Sequence, residues 1–412
     1  MLMEKTRTSE GIEIIPDGGV TTPKGFTAGG IHVGVRTDWT KLDVGIVRSE
    51  EPCTTAAVYT SNQLKAAPLL ITQQHLADHT AQAIVANSGC ANAATGQQGE
   101  ENAVRMADLA ASKLGLTPQE VIVASTGVIG TQLPMDRIAN GIENLDLSRT
   151  GGDDFAVSIM TTDTVKKHIA VRSGSWTIGA ACKGVGMIHP NMATMLCFMT
   201  TDAAVEPGFL QKSLKQAVDC SFNMVDIDSD TSTNDMAVVM ANGLAGGSAI
   251  CDGHPDATAF QKALSLVCTS MARMMVKDAE GGSKTIEATV HGAATHEDAR
   301  RAAREIVRSI GVKTAIYGQD PNWGRILAAI GNSGASFQME HTHLFLRSPD
   351  SGEVCLFADG SPQPYDYIAA KACLAPADVF IRVDLGLGNA RATAWGSDLT
   401  EEFVRLNSVY TT

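Results

Sequence analysis

The chain has 412 residues, of which 44% are apolar and 19% charged, the balance of a folded chain with a sizeable core rather than a disordered one. Its net charge of −13, from 32 Lys and Arg against 45 Asp and Glu, repels phosphate backbones and anionic lipid, so neither nucleic acid nor membrane is expected as a partner. The length allows two or three domains, or one large layered unit.

Short β-type runs open the chain: "IHVGVR" at 31–36, "DVGIV" at 43–47, "TAAVYT" at 55–60 and "AIVANS" at 83–88. Helical spacing then brings Ala103, Met106, Ala107, Ala110 and Leu114 onto one face. The strand "VIVAS" at 121–125 runs into "TGVIG", and strands "KHIAV" and "WTIGAAC" lead to the segment "KGVGMIHPNMATMLCFMTTDA" at 183–203. Pro207 suits the first turn of a helix that aligns Leu210, Leu214 and Ala217. Further helices carry Phe260, Leu264, Val267 and Met271, and then Ala299, Ala302, Ala303 and Ile306. Strands are expected at "TIEATV", "ILAAIG" (326–331), "HLFLR" and "FIRVDLG". Strands outnumber helices without strict alternation, which predicts an α/β chain of layered mixed sheets with helices outside. Aromatics are only 5%, so small aliphatics and Met must build the core. The first residues lack the apolar centre of a signal peptide and no apolar run reaches membrane-spanning length, so a cytoplasmic location is expected. The nine cysteines show no CxxC spacing and mostly sit in apolar company, as reduced, buried thiols do.

Thr194 is the first candidate functional residue. It stands at the head of a dense apolar run, after a loop with Gly184, Gly186 and Pro190. A threonine there can be a plain β-former. The flexible loop also permits a second reading. It could present the bond between Ala193 and Thr194 to the Thr194 hydroxyl, so that an N→O acyl shift and hydrolysis cut the chain. The new N-terminal amine would then act as base for its own hydroxyl. "ASTGVIG" at 124–130 is either a simple turn or an oxyanion hole made by the Thr126 hydroxyl and the Gly127 N–H. "DIDSDTSTND", from Asp226 to Asp235, opens like a calcium loop, but Thr231 and Ala237 stand where Gly and Glu are required, so a solvated turn is expected. His341 and His343 would share one face of a strand, without the carboxylate or thiolate partners of a metal site, and no metal is expected. Cys90 in "NSGCANA" reads as a loop thiol. "TTPKGFTAGG" lacks the pattern of a phosphate-binding loop.

Nine motifs stand in one register from about residue 21 to the end: "TTPKGFTAGGIHVGVR", "NSGCANA", "ASTGVIG", "IMTTDT", "KGVGMIHPNMATML", "DTSTND", "KDAEGGSK", "DPNWGRI" and "RLNSVYTT". Together they resemble ornithine acetyltransferase, the glutamate N-acetyltransferase family of arginine biosynthesis. The resemblance implies a fold of the N-terminal-nucleophile type and cleavage between Ala193 and Thr194. The chains 1–193 and 194–412 would stay together, usually as an α2β2 assembly. It makes Thr194 the nucleophile and Thr126 and Gly127 the oxyanion pair. Thr161, Lys183, Thr194, Glu280, Asn407 and Thr412 would bind substrate. It implies N-acetylornithine and glutamate as substrates and no cofactor, with acetyl-CoA as a possible second donor. Ser229 departs from the family, which more often has Gly there. A self-cleaving amidase or aminopeptidase, in which water resolves the ester, and a ligand-binding protein that has lost catalysis are the alternatives.

Overall fold

The computed structural model describes residues 11–36, 38, 40–189, 195–349 and 352–409. The described residues form two mixed sheets. The first contains β1 (Glu13–Ile15), β2 (Phe26–Ile31), β3 (Val44–Tyr59), β4 (Thr80–Asn87), β5 (Val121–Ser125), β6 (Lys167–Ser173), β7 (Trp176–Lys183) and β8 (Leu196–Thr201). After β9 (Val225–Asp226), which joins the second sheet, β10 (Met236–Ala241) completes the first. Its order is β1-β6-β7-β8-β10-β3-β4-β5, with β2 alongside β3.

The 16-residue β3 belongs to both halves of this sheet. Its residues 54–59 pair with β10, and its residues 44–48 pair with β4. The register shifts between Arg48 and Cys53, a stretch that contains Pro52, which has no N–H to give a ladder. The two halves then face each other. Alternation of side chains shows this directly. Ile84 and Ile122 of β4 and β5 share one buried cluster with Leu196, Phe198, Met236 and Val238 of β8 and β10. The intervening residues point outward. Val85 and Val123 pack under helices Gly96–Leu114 and Met135–Asn144. Cys197, Met199, Ala237 and Val239 pack under helices Pro207–Asp219 and Ala257–Lys277. The result is a helix–sheet–sheet–helix stack. Strands buried on both faces are why "MLCFM" is apolar without alternation. The short helix Gly152–Ser158 is an exception to the outer placement, sending Phe155 between the halves, 5.5 Å from the Phe198 ring.

The second sheet runs β14 (Ser361–Pro362), β13 (Gly352–Ala358), β12 (His343–Ser348), β15 (Asp378–Asp384), β11 (Thr285–Ala293), β16 (Ala390–Ser397) and β9. Its own core packs against helices that include His296–Arg308 and Trp323–Asn332, and Trp395 touches both this core and the neighbouring one of the first sheet. Among the described residues no helix is long and apolar enough to cross a membrane. All nine cysteines are unpaired, and six of them are buried.

Three expectations about strands change. "ILAAIG" lies in helix Trp323–Asn332, with Ile326, Ala329 and Ile330 buried at helical spacing and the Asn322 side chain capping the Arg325 N–H. "IHVGVR" contributes only Ile31 to a strand, because residues 33, 34 and 36 turn their N–H groups onto the Asp43 carboxylate. His341 ends a 3-10 turn (Met339–His341) while His343 starts β12, so the two imidazoles do not share a strand face.

Phe198 joins the two halves, so Phe198→Ala should cost about 3–5 kcal/mol of stability, read as a lower urea midpoint; an unchanged midpoint would mean that the halves do not depend on this contact.

Candidate active site

Folding the first sheet on itself gathers strand ends from both halves at one edge. β7 ends at Lys183, which pairs with Leu196 at the start of β8. β10 starts beside it, parallel, with Met236 opposite Leu196. From the other half, β5 ends at Ser125 and delivers Thr126. The Lys183 Nζ donates to the Thr126 Oγ1 at 3.4 Å.

These ends open onto a cavity of about 350 Å³ lined by Thr126, Gly127, Thr161, Lys183, Glu280 and Asn407, among others. Six of the residues singled out from the sequence therefore meet in one place. Ala193, Thr194 and Thr412 lie outside the described residues, between or beyond His189, Met195 and Val409.

Gly127 is held at φ +129°, and a Cβ there would come within 2.4 Å of the Gly89 carbonyl carbon. Only glycine fits that close approach. The Thr126 N–H is committed to the Asn87 carbonyl at 3.0 Å. Thr126 and Gly127 both border the cavity. A hydroxyl that accepts from an ammonium keeps its own proton to donate, the arrangement an oxyanion needs. Cys90 serves this loop structurally. Its thiol donates to the Thr131 carbonyl at 2.9 Å, and burial raises its pKa, which suits a loop thiol and not a nucleophile.

Lys183 is 2% exposed. Burial pulls its pKa below the usual lysine range, and Asp163 pulls the other way. Asp163 is itself buried, yet Lys183 and Lys167 hold its pKa at about 2. It accepts from the Gly184 N–H at 2.9 Å, the Thr161 N–H at 3.0 Å and the Lys167 Nζ at 2.7 Å. Lys167 also donates to Asp278 at 2.6 Å. Its pKa stays raised despite burial because of these two carboxylates. Asp163 thus ties the Thr161 turn to the end of β7. Lys183 itself has three donors, and among the described residues its hydrogen bond goes to Thr126.

Glu280 lines the same cavity as Lys183. Its N–H donates to the Val185 carbonyl at 2.9 Å, and its carboxylate accepts from the Thr162 hydroxyl and, at 3.3 Å, from the Asn407 side-chain amide. The last helix, Glu401–Val409, therefore reaches the site through Phe403 and Asn407. Thr162 was not picked from the sequence, where "TTDT" offers two adjacent threonines; only the fold shows which one reaches Glu280.

The solvated turn expected at 226–235 is instead largely buried. Asp226 is fully buried, and residues 232–235 are at most 4% exposed. Asp226 meets the His189 Nδ1 at 2.8 Å. Asp228 accepts from the Ile188 N–H at 2.9 Å and the Asp230 N–H at 3.2 Å. Two aspartates therefore hold the loop that leads to residue 190. Ser229, where the family favours Gly, takes φ +67°. Burial pushes Asp235 well above the usual carboxylate range, against the Met195 N–H that it accepts at 3.1 Å. Among the described residues no three His, Cys, Asp or Glu side chains converge as metal ligands do.

A family model described as the ArgJ family matches residues 27–412. The chain belongs to the ArgJ family. The resemblance drawn from the nine motifs is borne out. The arginine biosynthesis bifunctional protein ArgJ of Symbiobacterium thermophilum is 48% identical over 96% of this chain and 99% of its own length. The protein of the same name from Dehalococcoides mccartyi is 45% identical over 97% of this chain and 99% of its own. A crystal structure of ornithine acetyltransferase complexed with ornithine from Mycobacterium tuberculosis is 37% identical. The match covers 45% of this ArgJ-family chain and 100% of that one, with a TM-score of 0.42.

Asp228 gives a pH test of this loop. Burial lifts its pKa to about 6, against hydrogen bonds from Asp230, Met187 and Ile188. A carboxyl with its folded pKa above the unfolded value of 3.8 costs nothing while both states are protonated and destabilises as pH rises through that window. The cost is on the order of 3 kcal/mol at about 1.36 kcal/mol per unit. Asn at this position carries no such term. The stability of wild type relative to Asp228→Asn should therefore fall by about that amount between pH 4 and pH 7.5. Parallel stability–pH curves would place the ionised carboxylate in solvent.

Proposed function

We propose that this ArgJ-family acyltransferase moves acetyl from N-acetylornithine to glutamate through an ester on Thr194, after cleavage between Ala193 and Thr194. The observation that carries the proposal is Lys183, a buried ammonium whose one hydrogen bond among the described residues goes to Thr126, in the cavity that Glu280 also lines. A buried cation in that state calls for an anionic ligand. In an N-acyl amino acid the acyl carbonyl carbon and the carboxylate carbon are three bonds apart. One pocket can therefore hold the carboxylate on Lys183 and present the carbonyl oxygen to Thr126 and Gly127. Glu280 then meets the side-chain ammonium of the ornithine moiety, with Thr161, Asn407 and Thr412 completing the substrate contacts.

In the first half-reaction the Thr194 hydroxyl attacks the acetyl carbonyl and its proton passes to the Thr194 amine. Thr126 and Gly127 stabilise the oxyanion. The amide C–N bond breaks, the departing amine takes the proton, and ornithine leaves behind an acetyl ester. The glutamate amine then attacks that ester, the new amide forms, and the Thr194 oxygen regains its proton. An amide is exchanged for an amide, so no cofactor enters. We read the second activity implied by the relatives' name, bifunctional, as acetylation of glutamate from acetyl-CoA at the same threonine. Chains 1–193 and 194–412 remain associated, as an α2β2 assembly, and the reaction runs in the cytoplasm.

Purified protein given N-acetylornithine and glutamate should release ornithine and N-acetylglutamate, and denaturing mass spectrometry should show two chains split after Ala193. Thr194→Ala should stay in one piece and transfer nothing. Release of acetate at a rate independent of glutamate would mark a hydrolase, and an active, uncut wild type would refute the cleavage.

A further inference from the structure

The burial of residues 232–235 has a use beyond rigidity. The Asn234 side-chain amide donates both of its hydrogens to backbone carbonyls, to Ala91 at 2.6 Å and to Ser125 at 2.8 Å. Both partners only accept, which fixes which end of the amide is nitrogen. Its oxygen accepts from the Thr233 hydroxyl at 2.5 Å. Ser125 is the residue joined to Thr126, and Ala91 follows the Gly89–Cys90 peptide against which Gly127 is packed. Asn234 therefore grips the loop that carries Thr126 and Gly127 at two points, from the wall of the same cavity.

The next residue grips the other half of the sheet. The Asp235 carboxylate accepts from the Met195 N–H at 3.1 Å, and the following Met236 N–H donates to the Met195 carbonyl at 3.0 Å. Two adjacent side chains thus reach opposite ways, one to the loop that carries Thr126 and Gly127, one to the head of β8. The segment is anchored in turn by the Thr60 hydroxyl on the Ser232 carbonyl at 2.8 Å and the Ala66 N–H on the Thr233 carbonyl at 3.0 Å.

We propose that Asn234 and Asp235 form a clamp that sets the distance between the oxyanion donors and the head of the nucleophile-bearing strand, so that Asn234 is a positioning residue acting through Thr126 and Gly127. The inference rests on the oxyanion reading of those two residues. Asn234 also borders the cavity, but its amide hydrogens and oxygen are engaged within the chain, and its role is to hold geometry in which a displacement of about 1 Å can cost on the order of 100-fold in rate. Asp235 needs only an acceptor for the Met195 N–H, so Asn can replace it and Ala cannot.

A double-mutant cycle on acetyl transfer tests this. Thr126→Ala should lower kcat by on the order of 100- to 1000-fold. Asn234→Ala should lower kcat by on the order of 10- to 100-fold with KM for N-acetylornithine close to wild type. In the double variant the Asn234 substitution should cost clearly less than it does alone, because one of the two donors it places, the Thr126 hydroxyl, is already gone while the Gly127 N–H remains. Asp235→Asn should keep most of the activity that Asp235→Ala loses. Fully multiplicative losses in the double variant, a raised KM with normal kcat, or wild-type kcat in Asn234→Ala would each overturn the clamp. If Asn234→Ala does not fold, Thr233→Val, which frees the amide to turn, should show a smaller loss in kcat, and a wild-type kcat there would also overturn it. A normal kcat in Thr126→Ala would instead defeat the oxyanion reading, a separate failure.

Discussion

The site depends on one strand serving two half-sheets. Because β3 pairs with β10 through its last residues and with β4 through its first, the chain can stack one half of the sheet on the other. In a flat sheet the ends of β5 and β7 would be separated by β8, β10, β3 and β4, at about 4.8 Å per step. Folded over, the side chains of Thr126 and Lys183 are 3.4 Å apart. The shared apolar layer, with Ile84, Ile122, Leu196, Phe198, Met236 and Val238, holds them there. The rigidity that a reacting centre requires comes from elements buried on both faces, and loops at their ends carry the chemistry.

Electrostatics follow from that burial. Lys183 lies where solvent cannot support its charge, and the chain answers with a buried carboxylate, Asp163, that is shared with Lys167 and backed by Asp278. Among the described residues the arrangement holds a buried cation at the cavity with one hydrogen bond, which is costly for a protein unless a ligand completes the shell. Glu280 supplies the opposite charge and is steadied by Thr162 and Asn407. Gly186 allows its approach, since a Cβ there would lie 2.6 Å from its carboxylate oxygen. A net charge of −13 therefore says little about a cavity that holds a buried lysine.

Much of this was legible in the sequence. Continuous apolar runs marked strands buried on both faces, helical spacing marked the outer layer, and the paired glycines of "KGVG" marked a loop of unusual backbone shape. The nine motifs were enough to identify the family and to point to six residues that line one cavity. The misreadings have definite causes. "ILAAIG" is short and apolar, and such a run fits a strand or a helix equally until a cap such as Asn322 is recognised. "DIDSDTSTND" looked solvated because polar residues usually are. Its partners, the carbonyls of Ala91 and Ser125 and the N–H of Met195, are backbone groups far away in sequence, and nothing in composition reveals them. The same is true of Asp163, whose importance comes from standing between two lysines.

The central claim is that one threonine carries the acetyl group between two amino acids. The direct measurement is peptide mass spectrometry on enzyme quenched after mixing with N-acetylornithine in the absence of glutamate. The account predicts one added acetyl group on the peptide that begins at Thr194, lost when glutamate is supplied and absent in Thr194→Ala. An unmodified Thr194 peptide under conditions of full transfer activity, together with intersecting double-reciprocal plots, would contradict it.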